Sequence, residues 1–307
     1  MSPREGRSGS AASVRGRLRE LARRRGLEFQ LVLSEYAIER LLYRLGASIH
    51  RDRFVVKGAT LFRLWAVGER RATWDLDLLG RGSSRVDDVV AVVRELCEMP
   101  ADDAIEFDAV SLRGEEIRSP DEYGGVRVRI VARLAGADIP VQMDVGFGDA
   151  VEPAPRIETY PTLLDHAAPR VLVYPRETVV AEKLEAIVSL GVTTSRMKDF
   201  YDVHQLAASF DFDGKTLVRA LRATFARRGT ALPVEEPIPL TRSFLSAPER
   251  VLQWSAFLRR SRLDGPTGGE ALSDELRRFL LPPIDAARGS GAFTARWLAG
   301  GPWEEQR

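Results

Sequence analysis

Apolar residues along this chain change their period twice. In "VRGRLRELARRRGLEFQLVLSEYAIERLLYRLGAS", Leu31, Ala37, Ile38, Leu41, Leu42 and Leu45 recur at helical intervals, interrupted at Ser34. This predicts one or two amphipathic helices ending near Gly46. From about Arg53 to Asp165 the pattern becomes mixed. "FVVKGATLFRLWAV" reads as a short strand turning at Gly58 into a helix, and "RATWDLDLLG" as the next strand. "VDDVVAVVRELCEM" keeps helical spacing, whereas "IEFDAVSLRGEEI", "GVRVRIVARLAG" and "IPVQMDVGFGD" alternate as strands do, the last two joined through "AGAD" as a hairpin. From Pro175 the period is helical again: "RETVVAEKLEAIVSLG", closed by Gly191, then "SRMKDFYDVHQLAASF" with Ser195 as its N-cap, "KTLVRALRATFARRG", "PERVLQWSAFLRRSRL" and "DELRRFLLPPIDAA". The expected fold is α/β (α+β): a basic arm and N-terminal helices over 1–52, a mixed-sheet core over 53–170 and a helical C-terminal domain over 171–307.

Composition narrows this picture without redirecting it. The 307 residues are 44% hydrophobic and 29% charged, and the net charge of +1 gives no global pull toward nucleic acid. An Arg-, Gly- and Ser-rich arm up to about Ser13 reads as a disordered tail rather than an RNA-binding arm, and "GPWEEQR" as a plain terminus. Cys97 is the only cysteine, which excludes an internal disulfide and a cysteine-rich zinc site and fits a reducing compartment. "MSPREGRSGSAAS" lacks the apolar centre of a signal peptide and no stretch is long enough to span a bilayer, so the expected location is cytoplasmic, with no membrane partner. Of the 45 Lys and Arg residues only Lys57, Lys183, Lys198 and Lys215 are lysines, which singles each of them out.

Asp75 and Asp77 break the apolar character of their strand. Residues two apart on a strand point the same way, roughly 7 Å apart. In "VQMDVGFGD" the residues Val141, Met143, Val145 and Phe147 take one face, leaving Gln142, Asp144 and Gly146 on the other. If the two strands are neighbours, Asp75, Asp77 and Asp144 converge on one patch able to hold divalent metal for phosphoryl transfer, with Mg²⁺ the natural ion for all-oxygen ligands. A solvated strand face is the competing reading. Just upstream, Gly58 at a strand-to-helix turn and the Thr60 hydroxyl make a candidate anion site, for which an ordinary turn is the alternative.

Taken together, Gly58 to Thr60, Asp75-x-Asp77 preceded by Arg71 and Thr73, and Asp144 on a later strand resemble the nucleotidyltransferase superfamily. "YPTLLDHAAPRVLVYPRETVVAEKLEAIVSLGVTTSRMKDFYDVHQL", with "YAIERLLYRL" and "RFVVKGATLF", resembles the AbiEii-type toxins of type IV abortive-infection toxin-antitoxin systems over roughly residues 30–210. The resemblance implies a nucleotidyltransferase-like mixed-sheet core, with Gly58, Ala59 and Thr60 as the first motif, Ala59 standing where a second glycine is commoner. It implies Asp75 and Asp77 as metal ligands and Asp144 as third carboxylate or general base. It also implies Thr60 and Lys183 on the triphosphate, Gly58, Arg71 and Arg196 as further nucleotide-binding residues, and Asp199 as a motif carboxylate with Arg196, Lys198 and Asp202 nearby. The implied substrates are a nucleoside triphosphate donor with Mg²⁺ and a tRNA acceptor modified at its 3′ end, and the implied partner is a cognate antitoxin.

The residues themselves are compatible with those roles. Val180, Ala181, Leu184 and Ile187 leave Lys183 partly enclosed and in need of an anion, either phosphate or a sheet aspartate. Asp202 has an ordinary pair with Lys198 as its alternative. His50, His166 and His204 lack metal-ligand spacing, Cys97 reads as a core residue, and "RLRELARRR", "RALRATFARR" and "FLRRSRL" are solvated faces that could together serve an RNA backbone. The reading is a metal-dependent nucleotidyltransferase toxin. Its alternatives are nucleotidyl or phosphoryl transfer to a protein or small-molecule hydroxyl, and a non-catalytic nucleotide-binding regulator.

Overall fold

The structure is a computed structural model and describes residues 10–66, 71–117, 124–289 and 291–305. Two compact units divide the chain: residues 1–65, 72–148 and 156–173 form the first, and 66–71, 149–155 and 174–307 the second. Most of the expected N-terminal arm lies outside the described residues, as do the last two residues of the tail.

The first unit begins with α1 (Ala11–Arg25), capped where Ser10 accepts a hydrogen bond from the Ser13 N–H, and α2 (Phe29–Ala47). There follow β1 (Phe54–Lys57), the short α3 (Thr60–Leu64), β2 (Asp75–Gly80), α4 (Val86–Glu98), β3 (Glu106–Ile117), β4 (Gly125–Leu134), β5 (Ala137–Phe147), β6 (Arg156–Thr159) and β7 (Arg170–Val173). The strands make one sheet in the order β3-β4-β5-β2-β1-β7-β6. β2 pairs with β5, and β1 with β7, in parallel; the other neighbours are antiparallel, so the sheet is mixed.

Alternation decides which side of each strand is buried. Ile139, Val141, Met143 and Val145 of β5 and Val126, Val128, Ile130 and Ala132 of β4 are buried, while Gln142, Asp144, Arg127 and Arg129 are wholly or partly solvated. α2 packs on β5 and β7, and α4 on β3. α2 also carries charge into this interior. The Arg63 guanidinium of α3 donates to Glu39 at 2.9 Å, Glu39 accepts from the Leu163 N–H at 2.6 Å, and Arg44 holds Asp103 at 2.7 Å. A helix of five residues has little stability of its own; Arg63 ties α3 to α2 and so fixes the β1–α3 turn.

The second unit contains α5 (Arg176–Leu190), α6 (Met197–Ser209), β8 (Phe212–Asp213), α7 (Gly214–Arg227), α8 (Arg242–Leu245), α9 (Pro248–Ser261), α10 (Gly269–Arg288), β9 (Ala295–Trp297) and β10 (Trp303–Glu305). β10, β9 and β8 form a small second sheet that alternation did not predict. Strands of two or three residues are too short to show a period. The "GPW" tail is part of this core: the Trp303 ring stacks on Phe279 and its indole N–H donates to the Phe279 carbonyl at 3.0 Å. Ser195 is not the cap of α6. Arg196 occupies that position, without a side-chain cap. Among the described residues no helix is long and apolar enough to cross a membrane.

Candidate functional site

In the first unit the candidate residues Asp75 and Asp77 lie on the polar face of β2. Along that strand Asp75 and Asp77 are half-buried while Leu76, Leu78 and Leu79 are buried, which is the alternation that made them stand out. Pairing then adds neighbours on both sides. Asp77 lies opposite Lys57 on β1 and opposite Asp144 on β5; Asp144 lies opposite Arg127 on β4, and Arg127 opposite Glu115 on β3. Directly opposed residues share a face, so a single row across five strands reads Lys57, Asp77, Asp144, Arg127, Glu115. Two carboxylates stand in the middle with a cation beyond each. In the next row Asp75 faces Gln142, and Gln142 faces Arg129.

The two strands are therefore neighbours and bring Asp77 beside Asp144, yet the three carboxylates do not converge. Arg127 Nε donates to one Asp144 oxygen at 2.8 Å and an Arg127 terminal nitrogen to the other at 2.7 Å, a bidentate grip that takes both. That hydrogen bonding holds the Arg127 guanidinium above its ordinary range; burial opposes it, and the charges of Asp144, Glu115 and Asp75 add to it. Among the described residues no group of three His, Cys, Asp or Glu side chains is arranged to hold a metal ion. The donor set that fits a cation is the strand pair Asp75 and Asp77. Two carboxylates suffice for Mg²⁺, which keeps waters and takes substrate phosphate oxygens for its remaining positions.

Gly58 is bound to this arrangement. Its φ is +72°, and a Cβ there would lie 2.0 Å from an Asp77 carboxylate oxygen, so the turn and the aspartate occupy adjoining space only because the residue is glycine. Thr60, by contrast, is 1% exposed, and its hydroxyl has no hydrogen-bond partner among the described residues. The Leu61 and Phe62 N–H groups are taken by the Gly58 and Ala59 carbonyls, and a helix as short as α3 offers little dipole. Of the expected anion site, the glycine turn remains, with the Asp77 carboxylate packed against it.

The second unit holds the remaining residues in one buried cluster. Lys183 of α5 donates to Asp199 at 3.1 Å and to Asp202 at 2.6 Å, both on α6. Arg71 reaches Asp202 at 3.3 Å, and Arg196 lies 2.5 Å from Asp199. The Lys183 side chain is 12% exposed and the two aspartates 2% or less. Burial works against the Lys183 charge, but Asp202 and Asp199 outweigh it and hold the ammonium above its ordinary range. Asp199 mirrors this: burial opposes its charge, while Lys183 and Arg196 bring the carboxyl below its usual range. The anion partners of Lys183 within the chain are thus helix aspartates, not sheet ones, and Asp202 pairs with Lys183 and Arg71 rather than with Lys198.

Arg127 went unnoticed in the sequence, and Lys57 stood out only as a rare lysine. The signal for Arg127 was present. Ala135 and Gly136 form a two-residue turn with φ of +48° and +77°, so Leu134 faces Ala137 and seven residues further along each strand Arg127 faces Asp144. Other candidates resolve into structural partners: His50 with Glu95, His166 with Tyr36, His204 with Glu275, and Cys97 buried, its thiol pushed up to about 12 by that burial. Two arginines of the "RALRATFARR" cluster are spent internally, Arg222 on the end of α10 and Arg228 on Glu185.

Comparison with known proteins adds one informative match. The sequence model of the family described as "Nucleotidyl transferase AbiEii toxin, Type IV TA system" matches residues 40–288. Among solved structures, JHP933 from Helicobacter pylori is 14% identical with a TM-score of 0.48, covering 85% of this chain and 95% of that one. A second H. pylori structure, of a protein described provisionally as a nucleotidyltransferase, is 14% identical with a TM-score of 0.46, covering 85% and 98%. No curated protein matches the chain.

Proposed function

The chain belongs to the AbiEii family of nucleotidyl transferase toxins of type IV toxin-antitoxin systems, and from that premise we propose that it transfers a nucleotide from a nucleoside triphosphate to the 3′ end of tRNA in a Mg²⁺-dependent reaction. Membership in this family implies an antitoxin partner. The observation that carries the proposed chemistry is the pair Asp75 and Asp77, half-buried on one face of β2, with Gly58 packed against Asp77.

In this reading Asp75 and Asp77 would hold the divalent cation. A cation bound there supplies neutralisation of phosphate charge and polarisation of the reacting phosphoryl group. Gly58 leaves room for the Asp77 carboxylate beside the turn. The acceptor hydroxyl attacks the α-phosphorus in line, forming the new P–O bond as the bond to the bridging oxygen breaks and pyrophosphate leaves. Asp144 is the candidate to accept the hydroxyl proton. In the second unit Lys183, Arg71 and Arg196 are the candidates for phosphate contact, in competition with Asp199 and Asp202, and Asp199 is the candidate for keeping Lys183 charged and aimed. Thr60 would contribute through the turn that it helps to close.

The test incubates purified protein with Mg²⁺, each α-labelled nucleoside triphosphate in turn and total tRNA, with Asp77→Asn alongside. Label on tRNA with wild type and none with the variant supports the reading and identifies the donor. Label on polypeptide or on a small molecule instead would move the acceptor to those classes. No transfer in any lane, from folded protein shown to bind nucleotide, would favour a regulator.

A further inference from the structure

The row of charges on the first unit's sheet contains one side chain that neither the fold nor the proposed reaction accounts for. Arg127 is about one-third exposed, and Asp144 is 22% exposed, so their bidentate bond faces solvent rather than filling a core. Adjacent strands lie ~4.8 Å apart. Asp144 therefore has Asp77 about one strand spacing away on one side and Arg127 the same distance away on the other. Two neighbouring carboxylates repel, and a guanidinium is the strongest alternative partner for one of them. A divalent cation held by Asp75 and Asp77 would reverse that balance, because it would attract the Asp144 carboxylate.

We propose that Arg127 is a positioning residue that competes with the cation for Asp144: while Arg127 grips both oxygens the cation has two carboxylates, and when the grip loosens it gains a third. The proposal rests on the reading of Asp75 and Asp77 as the cation site. It assigns to Arg127 the setting of metal affinity and of how many of the cation's positions remain for phosphate oxygens. Lys57, at the other end of the row beside Asp77, lacks this relation because Asp77 lies between it and Asp144.

The experiment measures Mn²⁺ binding to the full-length protein by electron paramagnetic resonance, without nucleotide, for wild type, Arg127→Gln, Asp144→Asn, the double variant and Asp75→Asn. Arg127→Gln keeps a polar, uncharged and shorter side chain; Arg127→Lys serves as a second variant, able to hold one oxygen but not both. The expected result is Mn²⁺ affinity raised roughly tenfold in Arg127→Gln and less in Arg127→Lys, from the gain of Asp144 as a ligand. The gain disappears in the double variant, and Asp144→Asn alone differs little from wild type. A gain that persists in the double variant means that Arg127 acts only through its field and overturns the proposal. So does wild-type binding that requires Asp75 but is unmoved by either Arg127 substitution. Mn²⁺ binding indifferent to Asp75→Asn would instead strike the reading of the cation site itself, which separates the two failures.

Discussion

The two units hold the same kinds of group in opposite circumstances. On the first unit's sheet, Asp75 and Asp77 are half-buried, and Asp144 faces a partly exposed arginine. In the second unit, Asp199 and Asp202 are almost wholly buried and closed by Lys183, Arg71 and Arg196. A carboxylate that keeps access to water can exchange a partner for a cation at modest cost. One enclosed among fixed cations cannot lose a partner without leaving a charge uncompensated in a medium of low polarity. The comparison teaches that the first group keeps the access needed to exchange a partner, whereas the second holds its own geometry, with any phosphate there having to displace a carboxylate.

The largest expected effect breaks the second unit. Lys183→Met leaves Asp199 and Asp202 short of a cation and should cost about 3–5 kcal/mol in urea unfolding. A loss under about 1 kcal/mol would mean that the cluster is more open than its burial suggests. Next is Asp77→Asn, which should lower nucleotidyl transfer on the order of a hundredfold or more while shifting unfolding by only about 0.5 kcal/mol. Equal losses of stability in the two variants would erase the contrast between the units.

Gly58→Ala sharpens the first side of the comparison. It combines a positive φ with a collision against Asp77, so a cost of about 1–2 kcal/mol from the backbone alone is expected. Transfer should fall with it; activity retained at wild-type level would show that the turn is not coupled to Asp77. A pH titration addresses the second unit. The folded Asp199 carboxyl lies below its unfolded value, so the stability it contributes is complete above about pH 4 and is lost as pH falls through the folded value. Acid unfolding of Asp199→Asn should have a shallower limb there than wild type, and coincident limbs would sink the assignment. The smallest effect is at the hairpin that sets the Arg127 register. Ala135 has φ +48°, and Ala135→Asn should add about 0.5 kcal/mol in thermal unfolding, because asparagine tolerates that conformation better.

Much of the first unit was legible before its fold was known. Alternation in "RATWDLDLLG" and "VQMDVGFGD" separated the aspartates from the buried residues, and the "AGAD" turn contained the Arg127–Asp144 register for anyone who counted outward from it. In the second unit the helices were legible but the cap at Arg196 was not, because Ser195 is the better cap by residue type. The small sheet of β8, β9 and β10 escaped notice because its strands are shorter than one full alternation.

What the sequence determined by itself are local matters: which residues of a strand share a face, where a two-residue turn places opposing positions, and the family to which the order of motifs assigns the chain. Tertiary structure decided which strand lies beside which. The parallel pairing of β2 with β5 joins residues 67 positions apart at Asp77 and Asp144, and no local period encodes that neighbour. It decided likewise that Lys183 meets Asp199 and Asp202 rather than a sheet aspartate, because burial makes each charge depend on which opposite charge is packed against it.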